Sequence, residues 1–167
     1  KHCYPEKSSE KFVVMKTTKT VGKTFVDDNE RVARIVLSPR DIDECTGAPK
    51  ANFISLRNNE TGISFLRLDY MGEGAFMTRG FERADNYNKH SKKIQYEFVG
   101  WMEGLVSDIK ALAPEIITIT IDNPKENPEH ICVEFHFQGD IVKGIVTNAV
   151  IMDIMDDLYH LLKFVTI

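Results

Sequence analysis

The chain predicts an α+β domain: an antiparallel or mixed sheet of about six strands, with helices packed on one face and a long C-terminal helix. Three observations predict it. Segments of period-2 apolar alternation come in neighbouring pairs, as antiparallel strands do. The longest helical periodicity comes last, from Gly139 onward. The glycine fingerprint and strict strand–helix alternation of a dinucleotide fold are missing, which favours separated strands and helices in one α+β layer.

A chain of 167 residues suits one domain. Residues 1–10 are polar, contain Pro5, and read as a flexible tail, leaving residues 11–167 as the domain. Residues 11–16 carry Val13 and Val14 and read as a short strand, followed by a Lys/Thr-rich edge or loop. Residues 30–38 alternate β-branched side chains with Arg31 and Arg34, and Pro39 ends that strand. Residues 40–49 form a loop whose Asp41, Asp43 and Glu44 suit a capped turn better than a calcium loop, because the DxDxDG order is absent.

Residues 52–57 and 62–70 read as a hairpin turned at Asn58–Gly62. Its second strand places Ile63, Phe65, Arg67 and Asp69 on one face, with the two charges at a solvated strand end. Residues 76–89 suit a helix with Phe76, Phe81, Ala84 and Tyr87 as its apolar stripe. Residues 94–105 read as a strand holding Tyr96, Phe98 and Trp101, with Gly100 marking a bulge or a close backbone approach. Residues 107–112 read as a short helix capped by Ser107. Residues 116–121 and 130–137 form the next strand pair, joined through two Asn-Pro steps. The last helix carries Ile145, Ala149, Met152, Met155, Leu158, Tyr159 and Leu162 at helical spacing, and residues 164–167 form an apolar tail.

Charge narrows the partners. The net −4 divides into +2 over residues 1–90 and −6 over residues 91–167, and all seven arginines lie between Arg31 and Arg83. Clustered cation leaves a nucleotide or nucleic-acid partner open, while the acidic half argues against a DNA-wrapping surface. No apolar run reaches the length of a membrane span, so no membrane partner is expected. Three cysteines at wide spacings make no disulfide framework and point to a reducing, cytoplasmic compartment.

The sharpest constellation is His130-x-Cys132-x-Glu134-x-His136. Strand geometry puts these four on one face, with Ile131, Val133, Phe135 and Phe137 on the core face. His130, Cys132 and His136 are candidate zinc ligands, although an outward polar face is the ordinary property of an amphipathic strand and no cofactor is required. The two histidines are about 20 Å apart along an extended strand, too far to act on one bond. His130, at a strand start beside the Pro-rich loop, is the better candidate for acid–base work, with Arg67 as an anion stabiliser. Cys132 is a second nucleophile candidate but fits a small half-buried thiol. No Ser-His-Asp or Cys-His-Asn signature stands in the sequence.

Val106–Leu112, Asp122-Asn-Pro and Asn127-Pro-Glu-His130 together resemble a pattern in small uncharacterised bacterial proteins with an Asn-Pro-x-His step at a strand start. Ile131 stands where their small residue is usual. The resemblance spans about 100 residues and implies a bacterial-type protein without assigning a catalytic residue.

Two functions follow as expectations. The first is a soluble binding or regulatory protein acting through contacts with a protein partner, with Trp101, the Lys-rich N-terminal edge and the acidic last helix as docking features. The second is a small enzyme acting on nucleotides or nucleic acid through His130. Oligomeric state is not legible in the residues.

Overall fold

The computed structural model describes residues 25–56, 60–136 and 146–167. The expected strand at residues 11–16, the tail before it, and the tip of the expected hairpin at Asn58 lie outside the described residues.

The sheet is six-stranded and antiparallel, in the spatial order β4-β5-β2-β1-β3-β6. In chain order the strands are β1 (Arg31–Ser38), β2 (Gly62–Arg67), β3 (Glu97–Leu105), β4 (Ile117–Asn123), β5 (Asn127–Phe135) and β6 (Lys163–Thr166). The helices are α1 (Leu68–Met71), α2 (Glu73–His90), α3 (Val106–Leu112) and α4 (Val146–Leu161). This is the expected α+β layer. The C-terminal helix is present, at 16 residues against 18 for α2. No helix among the described residues is long and apolar enough to cross a membrane.

Alternation along β1 explains the layers. Val32 and Val36 point to one face, where they join Ile63, Phe65, Ile131, Val133 and Phe135 under α3 and α4. Ala33, Ile35 and Leu37 point to the other, where they meet Phe76 and Ala84 of α2 with Phe98 and Trp101 of β3. Helices therefore cover both faces and not one, because β1 is apolar on both sides and each side needs a cover. Gly80 lets α2 lie directly on Phe98: a Cβ there would meet the ring at 2.6 Å.

Several elements differ from the sequence expectation. Among the described residues, 52–56 do not form the first strand of the expected hairpin. Residues 51–53 make a short 3-10 helix that buries Phe53, and β2 pairs with β5 and briefly with β1. The charged pair expected at a solvated strand end also separates. Arg67 is fully buried, and Asp69, on α1, accepts from Arg31. Ser107 does not cap α3. The first N–H groups of that helix donate to the backbone carbonyls of Glu30 and Asp28, so no side-chain cap is needed. Most of the expected apolar tail is strand β6, paired to β3. Gly100 does mark a bulge: Val36 pairs with Gly100 and Leu37 with Phe98, leaving Val99 extra, and Gly100 takes φ +144° against the Val165 carbonyl. Asp43 caps its turn as expected, accepting from the N–H groups of Cys45 and Thr46.

Candidate functional site

β1 and β2 pair at two positions only, Val32 with Arg67 and Ala33 with Leu66. Beyond them β1 continues against β3, and β2 against β5. A cleft of about 300 Å³ opens over this fork, at the small end of the range for ligand pockets. Its floor is Ala33, Ile35, Ser64, Leu66 and His130. Its wall is the polar flank of α2, with Arg79, Glu82, Arg83 and Asn86 at i, i+3, i+4 and i+7. The wall stands there because Phe76, Gly80 and Ala84 anchor the helix over β1 and β3, leaving the same face of β2 and β5 beside it.

His130 reaches this floor by register. It pairs with Leu66 across β2, and Ile131 pairs with Ile121 across β4. The next position on β4 is Asp122, at the irregularity that ends the regular ladder. Its carboxylate Oδ2 lies 2.6 Å from His130 Nδ1. The carboxylate makes Nδ1 the donor, so Nε2 is the acceptor in the neutral ring. The imidazole is 24% exposed, so it is held by its surroundings but still open to a ligand.

The wall supplies cation. Arg79 pairs with Glu129 at 2.9 Å. Arg83 is exposed and makes no hydrogen bond or ion pair among the described residues, and it borders two further hollows along α2. Arg34 contributes at the rim of the floor, while its guanidinium stacks 5.0 Å over Phe53 in the core of the opposite face.

Arg67 and His130 are not brought together. Arg67 shares a face with Phe65, opposite to that of His130, and is 0% exposed. Its Nε and Nη2 donate to Glu30 at 2.7 and 2.9 Å, its Nη1 donates to the Pro128 carbonyl, and Tyr70 stacks on it. This buried fork holds the start of β5 against the turn before β1.

The expected metal face is divided as well. Cys132 and His130 share the sheet face, but His136 lies beyond the end of β5, where it contacts Glu134 at 3.3 Å. Among the described residues no three His, Cys, Asp or Glu side chains gather closely enough to hold a metal. Burial, then the carboxylates of Asp122, Glu134 and Glu60, push the Cys132 thiol up to about 11. It is a thiol at neutral pH and a poor nucleophile.

Asp122, Arg79 and Arg83 are the residues that sequence reasoning missed. No family model matches the chain, and no curated protein and no solved structure matches it.

Proposed function

We propose that the chain is a small enzyme that hydrolyses a phosphate ester of the nucleotide class in the cleft between α2 and the sheet. One observation carries the reading: His130, oriented by Asp122 at 2.6 Å, lines the same cleft as Arg79 and Arg83. An imidazole with a carboxylate on Nδ1 presents Nε2 to take and return a proton. Two guanidinium groups on the facing wall match the charge of a phosphate, and each planar fork can donate to two of its oxygens. Glu82 in the wall and Glu129 on Arg79 limit the net positive charge, which favours a monoanionic or dianionic group over a polyanion.

The test is hydrolysis of a panel comprising p-nitrophenyl phosphate, bis(p-nitrophenyl) phosphate, thymidine 5′-p-nitrophenyl phosphate and adenosine monophosphate. At least one should be turned over, and His130→Gln should lower kcat by about 10²–10⁴-fold. Asp122 is a positioning residue, so Asp122→Asn should lower kcat with little change in KM and should alter the pH profile. No turnover of any substrate, or full turnover by His130→Gln, would contradict the reading.

Action through protein contacts is the second reading. Trp101 does not support it, being 5% exposed with its Nε1 donating to Glu103. The exposed face of α4 does, with Met152 at 68% exposure beside Asp153, Asp156 and Asp157. A partner retained through purification, and lost on reversing those charges, would favour it.

A further inference from the structure

Resting on the phosphate-ester reading of the cleft, we propose that Ser64 is its nucleophile, completing a Ser64–His130–Asp122 relay laid across β2, β5 and β4. The register sets the three in line. Thr120 and Ser64 both pair with Cys132, from opposite sides, so the even-numbered positions of β4, β5 and β2 share one face. Ser64 is the diagonal neighbour of His130, since His130 pairs with Leu66 two residues along β2. Diagonal pairs in an antiparallel sheet stand roughly 7 Å apart at Cβ, a gap that an imidazole can bridge.

Asp122 holds the ring by Nδ1 from the β4 side, so Nε2 lies on the side away from β4, towards β2. Ser64 is exposed, lines the cleft with His130, and its hydroxyl makes no hydrogen bond among the described residues. Arg83 borders both the cleft and the hollow that Ser64 shares with Gly62 and Cys132. The two side chains are not hydrogen-bonded to each other here, and such contacts tighten when substrate binds. Cys132, directly across from Ser64, is the competing nucleophile, and its raised thiol pKa removes it at neutral pH.

The chemistry balances in two halves. His130 Nε2 takes the Ser64 proton as Oγ bonds to phosphorus. The P–O bond to the leaving alcohol breaks, and His130 returns the proton to that oxygen. Water then gives His130 a proton and attacks phosphorus, the Oγ–P bond breaks, and Ser64 recovers its proton. Arg83 carries the equatorial charge in both halves.

The test uses diisopropyl fluorophosphate, which transfers its phosphoryl group to an activated serine with loss of fluoride. One adduct should form on the full chain and map to the peptide containing Ser64. Ser64→Ala should abolish it, and His130→Gln should slow it by about 10²-fold or more. The same variants are assayed for hydrolysis. Absence of a Ser64 adduct, or full hydrolysis by Ser64→Ala, overturns the assignment. If His130→Gln is inactive in that case, water is the nucleophile and the phosphate-ester reading stands. If both variants are fully active, that reading fails too. Adduct mapping on the unaltered chain decides the point even if a variant fails to fold.

Discussion

Arg67 is fully buried, and its guanidinium forks onto the Glu30 carboxylate. Its strand position was legible; its partner was not, because Glu30 lies 37 positions away, before β1. Removing the guanidinium would leave the Glu30 carboxylate, 7% exposed, without its ion pair. Arg67→Ala should therefore cost about 3–5 kcal/mol in denaturant unfolding, and a loss below about 1 kcal/mol would show the pair to be dispensable. Two Asn-Pro steps in the sequence mark the place of His130. Asp122 was equally visible in principle: alternation through Ile117–Ile121 puts it with Thr118 and Thr120, and pairing Ile121 with Ile131 sets it opposite His130. What was lacking was the hairpin register, which the connection of residues 124–126 leaves open.

Cys132 gives a pH prediction at the same scale. Its folded pKa is raised from 9.0 to about 11, so the folded chain holds the thiol proton more tightly than the unfolded chain does. That stabilisation is fully present below about pH 9 and is lost as pH rises through about 11. The stability difference between the parent and Cys132→Ser should therefore change across this window and stay flat below it. A flat difference throughout would mean the thiol is not desolvated. Iodoacetamide at neutral pH should modify exposed Cys45 well before Cys132.

Among the elements, α2 decides whether there is a site at all. Its apolar anchor and its polar flank come from one sequence. The anchor was legible in part: Phe76 and Ala84 are buried, whereas Phe81 is 48% exposed and touches Phe98 only edge-on. The third anchor is Gly80, which no hydrophobic pattern reveals. In an exposed helix Gly→Ala gains about 1 kcal/mol. Here the added Cβ meets Phe98 at 2.6 Å, and overpacking of this kind costs about 1–3 kcal/mol. Gly80→Ala should thus be neutral to destabilising in urea unfolding, and a gain near the full propensity value would show that α2 does not press on Phe98. The first strand of the expected hairpin is absent from residues 52–56 for a related reason. The local turn residues favoured it, but Phe53 and Ile54 gain more by joining the core under α4.

At the scale of the whole molecule, the sheet is two antiparallel units, β4-β5-β2 and β1-β3-β6, joined through a two-residue pairing. The fold class was legible because period and strand pairing are local signals. The order of strands was not, since β2 with β5 and β3 with β6 are long-range pairings that no local motif encodes. The cleft is a product of that order: a full ladder between β1 and β2 would close the fork beneath it. The uneven charge of the chain also acquires a place, as two of its seven arginines stand on the wall above His130.

The most direct measurement is a nitrogen-15 NMR titration of the uniformly labelled chain with adenosine monophosphate at low and high salt. Shifts should concentrate on the His130 imidazole, the Arg83 and Arg79 side chains and the Ser64 amide, saturate in the millimolar range or below, and weaken as salt screens the arginines. Arg83→Gln should reduce the affinity, leaving the rest of the spectrum unchanged. Shifts that avoid His130 and Arg83, or none up to millimolar ligand, would contradict the account.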